Sequence, residues 1–231
     1  MASGLREYRE FFRQFRHHFH TTGSVVPSGS RLARALTRPF RQRKAAARIL
    51  EVGPGTGAVT RHIVPLLEAD DRLDLVELNA SFVAHLQQRL REGGAWWSAA
   101  DRIRLFHCSL ETFESDGRYD FIVSGLPLNN FPAELVEGLF GKFFELLAPG
   151  GCLSFFEYMY LRRARYWMSL GDARARLRAL DEVITQHLTR GKATRDWVFL
   201  NAPPAWAHHM RRDVVATWQG APAAGHPQAD L

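Results

Sequence analysis

Hydrophobic and polar positions along the chain change period several times. From Leu5 to Phe19 the apolar residues Leu5, Tyr8, Phe12, Phe15 and Phe19 recur at three- or four-residue steps, and Phe11 widens the stripe. That spacing predicts an amphipathic helix over residues 5–20. A loop rich in turn formers follows, from Thr21 to Ser30, and Ser28 or Ser30 is placed to cap a second helix from Arg31 to Leu36. Short apolar runs then alternate with helical spacing. The runs Ile49–Val52, Leu73–Leu78, Ile103–Cys108, Tyr119–Ser124 and Leu153–Tyr158 read as strands. The intervening helices are read from the glycine turn to about Glu68, from Asn79 to Gly93, and from Glu134 to Leu147. Pro149-Gly150-Gly151 reads as a turn, residues 172–182 as a surface helix, and Ile184–Leu188 with Asp196–Asn201 as a final strand pair stopped by Ala202-Pro203-Pro204-Ala205. The alternation predicts an α/β chain: a Rossmann-like, doubly wound sheet of about seven strands, with an N-terminal amphipathic helical extension. The division is 1–44 for the extension and its loop, 45–210 for the sheet domain and 211–231 for a tail, disordered from about Gly220 because it is rich in Ala, Pro and Gly.

The chemistry centres on Ile49-Leu50-Glu51-Val52-Gly53-Pro54-Gly55-Thr56-Gly57. A buried strand runs into a glycine turn, and the missing Cβ atoms let the backbone come close to a ligand. Helical spacing resumes at Ala58, so strand, turn and helix N-terminus form a nucleotide-sized cradle. Gly53, Gly55 and Ala58 also fit the dinucleotide pattern, so the glycines alone do not choose the ligand. Glu51 tilts the choice, because a carboxylate there repels a pyrophosphate and suits a ligand carrying an ammonium and a sulfonium. The E-x-G-x-G-x-G run resembles the first motif of class I S-adenosylmethionine-dependent methyltransferases. That resemblance implies S-adenosylmethionine as cofactor and S-adenosylhomocysteine as product. Glu77 closes the second strand 22 positions after Gly55 and is placed to accept from both ribose hydroxyls. The resemblance also assigns to the cofactor Ser24, Leu78, Ser109, Leu110 and Ser124. Ser109 departs from the Asp found in many relatives at the adenine and is a weaker acceptor.

Three further stretches narrow the resemblance: Thr22-Gly23-Ser24-Val25-Val26-Pro27-Ser28, Ser124-Gly125-Leu126-Pro127 with Phe131-Pro132, and Asn201-Ala202-Pro203-Pro204-Ala205. Together they resemble the bacterial phospholipid N-methyltransferases over roughly residues 10–210. This implies methylation of phosphatidylethanolamine, through its mono- and dimethyl forms, towards phosphatidylcholine. Ornithine lipid or another aminolipid is the alternative acceptor. The architecture also resembles the rRNA adenine dimethyltransferases, whose motif after the fourth strand carries a base-stacking aromatic. Here those residues are Gly125-Leu126-Pro127-Leu128, without the aromatic, which weakens the RNA reading; an rRNA adenine N6-dimethyltransferase-like enzyme stays as an alternative, and no nucleic-acid partner is expected. Phe131, Tyr158 and Tyr160 stand at or beyond strand ends, where aromatic faces would hold a methylated ammonium. Glu157 and Tyr158 are the candidate proton acceptors.

Charge and composition add less. The 231 residues carry a net charge of +6 and are 46% hydrophobic, as expected of one domain with a real core and an anionic partner. Arg6, Arg9, Arg13 and Arg16 join Phe12, Phe15 and Phe19 in the first helix, which fits an anionic lipid interface as well as it fits packing on the domain. Cys108 and Cys152 lie in apolar runs and read as buried thiols, no zinc-type spacing is present, and no metal is expected. No signal peptide and no apolar window of membrane-spanning length is visible. The expectation is a cytoplasmic protein, peripheral at the inner face of the cell membrane.

Overall fold

The structure is a computed structural model that describes residues 29–159, 171–201 and 203–214. The predicted helix over residues 5–20 and the loop that follows it lie outside the described residues. Seven strands form one sheet: β1 Arg48–Val52, β2 Arg72–Glu77, β3 Ile103–His107, β4 Tyr119–Ser124, β5 Leu147–Tyr158, β6 Thr194–Val198 and β7 Ala205–Arg211. Their order is β3-β2-β1-β4-β5-β7-β6. The first five strands are parallel, and β7 runs antiparallel between β5 and β6. The helices are α1 Ser30–Leu36, α2 Arg38–Arg41, α3 Thr60–Ile63, α4 Ala80–Arg91, α5 Gly94–Ser98, α6 Ala133–Leu146 and α7 Asp172–Arg190.

The parallel strands are apolar on both faces because helices cover both. Successive residues on a strand point to opposite faces, and the two cores divide accordingly. Leu50, Ile122 and Phe155 pack with Phe140 and Phe143 of α6 and Ile184 of α7. Ile49, Val123 and Phe156 pack with Leu32 and Leu36 of α1, Phe40 of α2 and Leu86 of α4. The helices α1 and α2 thus belong to the core of the sheet domain.

Several expected elements take a different form. The helix after the glycine turn is only α3, continued by a 3₁₀ turn over Val64–Leu66, because Pro65 has no N–H to extend an α-helix. Ser30 begins α1, but its cap residue is Gly29, with no side-chain cap bond. Asn79 does cap α4, its Oδ1 accepting from Ser81 N at 2.9 Å. Pro149-Gly150-Gly151 is not a turn between elements; it lies within β5, where the pairing register with β4 shifts between Tyr119 and Phe121. Ile184–Leu188 is not a strand. It continues α7, where Leu180 and Ile184 face the core at a four-residue step. The antiparallel pair at the sheet edge is β6 with β7, and Pro203-Pro204 lies in the connection between them. The β7 residues Ala-Trp-Ala-His-His-Met-Arg contain no β-branched side chain, so propensity gave little sign of a strand.

One group of polar side chains inside the sheet is paired across strands. Asp74 of β2 is buried and accepts from Tyr119 Oη of β4 at 2.6 Å, and from Arg104 Nε and Nη2 of β3, both at 2.7 Å. Asp116 links the same Arg104 to Arg48 of β1. Burial, and then the bond to Asp74, push the Tyr119 phenol above its ordinary value. Arg104 is half exposed, so its ion pair is screened and the buried tyrosine bond is the larger contribution. We expect Asp74→Ala to lower unfolding free energy by about 2–4 kcal/mol, since it strands the Tyr119 hydroxyl, and Tyr119→Phe to cost only about 1 kcal/mol. Urea unfolding of the two variants checks this ordering; equal losses would show that packing, not the hydrogen bond, sets the cost.

Candidate active site

The strand order reverses at β1, with β2 on one side and β4 on the other. In open α/β sheets such a point leaves a crevice beyond the carboxyl ends of the strands. The turns leaving β1 and β4 are held there by backbone bonds. Gly53 N donates to Val76 O at 2.9 Å, and Gly125 N donates to Val52 O at 2.8 Å. A Cβ on Gly125 would lie 2.4 Å from the carbonyl oxygen of Gly53. Gly53 has φ +69°, and a Cβ there would meet Leu126 Cδ2 at 2.5 Å. Gly57 is also required by packing, since its Cβ would stand 2.7 Å from Trp96 of α5. Over Gly55 the nearest side-chain atom to such a Cβ, on Phe82, is 4.0 Å away, so space remains above the turn.

Glu77 ends β2 and is almost wholly buried. Its Oε2 accepts from Gly55 N at 3.0 Å and its Oε1 from Asn79 N at 2.8 Å. These bonds join the first turn to the second and fix the carboxylate. Each oxygen keeps a further lone pair, which suits a diol. Burial raises the Glu77 carboxyl above its ordinary value, and the backbone N–H groups of Asn79, Gly55 and Leu78 offset this in part. The groove beside it is lined by Val52, Gly53, Val76, Glu77 and Leu78 on one side and by Cys108, Ser109, Leu110 and Leu126 on the other. The structure therefore brings Gly53, Glu77, Leu78, Ser109 and Leu110 together. Cys108 and Leu126 join them without having been singled out for the cofactor; Leu126 stood in the Ser-Gly-Leu-Pro run, and its position straight after a strand end was the available signal. The Ser109 hydroxyl is 3.1 Å from Thr112 Oγ1, and the Ser124 hydroxyl accepts from Leu126 N at 3.3 Å, so both are engaged within their own loops.

Glu51 is the exceptional group. It is fully buried in β1, and neither carboxyl oxygen has a hydrogen-bond partner among the described residues. Burial pushes its carboxyl up to about 8; Thr60 at the start of α3 offsets part of this, although the Thr60 hydroxyl is itself without a partner among those residues. A buried acid with unmet acceptors awaits a cationic hydrogen-bond donor. The helix after the turn is a four-residue stub, so the dipole that would favour a pyrophosphate is small. The open turn, the diol-ready Glu77 and the unmet Glu51 fit S-adenosylmethionine, which carries an ammonium, a ribose and a sulfonium.

At the far side of the site, β5 outruns its pairing with β4, which ends at Val123 opposite Ser154. Glu157 and Tyr158 occupy that overhang. They are consecutive on a strand and point to opposite faces. Glu157 is buried, with its Oε2 2.8 Å from His208 Nε2. Tyr158 is half-buried and meets the edge of Phe156 at 5.1 Å between centroids. Burial raises its phenol, so the ring keeps its proton through neutral pH. Phe131 lies buried in the core on the α6 side. Ser24 and Tyr160 lie outside the described residues, as do Arg6, Arg9, Phe12, Arg13, Phe15, Arg16 and Phe19. Among the described residues no cluster of His, Cys, Asp or Glu could hold a metal ion, and Cys108 and Cys152 are free thiols.

Comparison with known proteins agrees with this geometry. Residues 49–151 match the family described as a methyltransferase domain. An ornithine lipid N-methyltransferase from Singulisphaera acidiphila is 29% identical over 147 residues, covering 64% of this chain and 76% of that protein. Among solved structures, the N-methyltransferase NodS from Bradyrhizobium japonicum, in complex with S-adenosylhomocysteine, is 19% identical with a TM-score of 0.55 over 79% of this chain and 84% of that one. The O-methyltransferase TomG from Streptomyces achromogenes, in complex with S-adenosylmethionine, gives the same identity and TM-score over 79% and 78%. The seven-stranded fold is that of class I methyltransferases. The matched domain and the relative support a class I S-adenosylmethionine-dependent methyltransferase, and the cofactor is S-adenosylmethionine.

Two outcomes are expected of this site. The double variant Gly55→Val, Glu77→Ala should weaken cofactor binding at least about a hundredfold, as removal of charge-assisted acceptors and of the open turn demands. Calorimetric titration checks it, and undiminished affinity would remove the groove from consideration. Glu51 gives a pH signature. Its folded value lies above its ordinary one, so the folded state holds a proton that the unfolded state has lost. Stability must therefore fall as pH rises from about 4.5 to about 8, at up to about 1.4 kcal/mol per unit. Glu51→Gln should melt higher than the parent by a margin that widens across that window, while binding cofactor more weakly. A margin that does not change with pH would show that the carboxyl is not the titrating group.

Proposed function

We propose that this protein transfers methyl groups from S-adenosylmethionine to the amine head group of a membrane lipid. The observation that carries this reading is the match over 147 residues to an ornithine lipid N-methyltransferase, which the groove beside Glu77 and the unmet Glu51 carboxyl support. Phosphatidylethanolamine, with its mono- and dimethyl forms, is the acceptor suggested by the Thr-Gly-Ser-Val-Val-Pro-Ser and Ser-Gly-Leu-Pro runs. Ornithine lipid is the acceptor suggested by the relative. Both present a primary amine beside an anionic group, so one site chemistry serves either.

In this reading the turn from Gly53 to Gly57, Glu77, Leu78, Ser109 and Leu110 hold the nucleoside, and Glu51 receives the ammonium end. Ser24 and Ser124 complete the cofactor contacts. When bound, the cofactor supplies an electrophilic methyl group on a sulfonium. The chain's part is to line up acceptor and donor and to exclude water. The acceptor amine has an ordinary value near about 10 and must lose its proton first. Glu157 takes that proton, directly or through His208, which it already faces at 2.8 Å. Tyr158 and Tyr160 present aromatic faces to the cationic product, whereas Phe131, buried in the core on the α6 side, is not placed for that role. Residues 5–20, through Arg6, Arg9, Arg13 and Arg16 with Phe12, Phe15 and Phe19, hold the enzyme at an anionic membrane surface on the cytoplasmic side. Among the described residues no helix is long and apolar enough to cross a membrane.

Labelled cofactor offered with phosphatidylethanolamine, ornithine lipid and ribosomal RNA in separate incubations tests the proposal. Label is expected in one or both aminolipids, and the product profile reads how many methyl groups are added. Label in RNA alone would overturn it.

A further inference from the structure

Large apolar side chains exposed in isolation are ordinary, but a contiguous cluster is not. Of the exposed large apolar residues, Trp97 lies in α5 and Val214 beyond β7, whereas Trp197, Phe199 and Leu200 lie in the edge strand β6 and the turn that follows it. They are 53%, 59% and 73% exposed. Trp197 stacks on Phe199 at 5.4 Å between centroids and meets Trp206 of β7 edge-on at 5.7 Å. The Arg195 guanidinium sits over both indoles, 5.1 Å from the Trp197 ring and 5.4 Å from that of Trp206.

Position gives the cluster meaning. β6 runs antiparallel to β7, and β7 antiparallel to β5, so β6 ends at the same end of the sheet as the parallel strands. Val198 pairs with Ala205, which pairs with Tyr158. The exposed turn therefore projects from the edge on which the site opens. Asn201 ties it to the start of α1. Asn201 Oδ1 accepts from Gly29 N at 3.0 Å, and its Nδ2 donates to Pro203 O at 2.8 Å. A Cβ on Gly29 would lie 2.7 Å from that Oδ1, so the approach needs glycine. Gly29 leads into α1, which packs on β6 and β7 and exposes Arg31 and Arg34; from Ser30 to Arg41 there is no acidic residue.

Exposed aromatic side chains with a guanidinium over their rings, near a helix that exposes further arginines, match the chemistry of an anionic lipid–water interface, where indoles lie at head-group level and arginines meet phosphate. We infer that the β6–β7 turn is a membrane-docking element, with Trp197, Phe199 and Leu200 entering the interface of an anionic phospholipid bilayer and Arg195, Arg31 and Arg34 meeting its phosphates. This rests on the aminolipid reading for its purpose but not for its test. It adds a contact that the N-terminal stripe does not provide: one fixed to the sheet, which sets the angle at which the site faces the bilayer.

The variant Phe199→Glu, Leu200→Glu changes the two side chains that project furthest, and neither belongs to the cofactor groove. The full-length protein is sedimented with vesicles of phosphatidylglycerol and phosphatidylethanolamine. The variant should bind at least about tenfold more weakly, as loss of the apolar burial and gain of two repelled charges require. Cofactor affinity and melting temperature should be unchanged, which separates lost docking from lost folding. Arg195→Gln should reduce binding more at low salt than at high salt. Methylation of vesicle-borne lipid should fall with binding, while methylation of a water-soluble short-chain aminolipid stays within about twofold of the parent. Vesicle binding unchanged in the glutamate variant would overturn the inference. So would a parent dimer in sedimentation equilibrium that the variant dissociates with no change in vesicle binding, because the cluster would then be a contact between copies. If neither aminolipid is methylated by the parent, the substrate reading fails while the vesicle measurement still decides the docking surface.

Discussion

Two peptide segments touch at the centre of this molecule. The turn leaving β1 and the turn leaving β4 approach so closely that a single Cβ on Gly125 would stand 2.4 Å from the Gly53 carbonyl oxygen. No side chain can be inserted there without parting the strands. The contact is backed by Gly53 N to Val76 O and Gly125 N to Val52 O, so the ends of β2, β1 and β4 share one frame. Glu77 then extends that frame to Gly55 and Asn79 through a single carboxylate. The cofactor groove is the space this frame leaves, and its width is a property of backbone, which changes less than side-chain rotamers do.

Within so rigid a frame an unmet polar group cannot relax, and Glu51 is such a group. Its burial is costly to the free protein, and that cost rises with pH as the carboxyl loses its proton. A stable fold alone would place an apolar residue at this position, as the chain does at Ile49, Leu50 and Val52. Retaining an acid there makes the empty site less stable than it need be and gives a cationic ligand a larger gain on binding. Stability is exchanged for affinity at one residue, where the gain comes from satisfying a buried acceptor.

Legibility followed the same physics. The parallel strands were readable because both faces are covered, which leaves short, nearly continuous apolar runs. Glu77 and the glycine turn were readable because their spacing carries a geometric requirement. The edge of the sheet was not. Ile184 to Leu188 is apolar at both ends and short enough for a strand, but Leu180 and Ile184 repeat at the step of a helix whose exposed face is densely charged. β7 hides its strand character in alanines and histidines, since Ala205 and Ala207 fit beneath α1, where a larger residue would not pack. The pairing of Glu157 with His208 was unreadable for a related reason: it joins two strands whose antiparallel register no local signal reveals. Trp197 and Phe199 passed as ordinary strand aromatics, because exposure is a property of the sheet edge and not of the residues.

The antiparallel strand β7 shapes the edge of the sheet. β6 runs in the same direction as the parallel strands, and the connection from β5 that this requires carries α7, which packs beside α6. β7, inserted antiparallel between β5 and β6, leaves β6 at the edge with no further strand partner among the described residues, and its last residues lie at the same end as the carboxyl ends of the parallel strands. β5 reaches past β4 only because β7 pairs along its whole overhang, from Cys152 opposite Arg211 to Tyr158 opposite Ala205. The same hairpin then bends through Asn201, which grips Gly29 and so sets where the chain enters α1. Extending β5, exposing the aromatic turn and fixing the start of α1 are three consequences of the direction of β7, and all three act at the end of the sheet where the parallel strands finish.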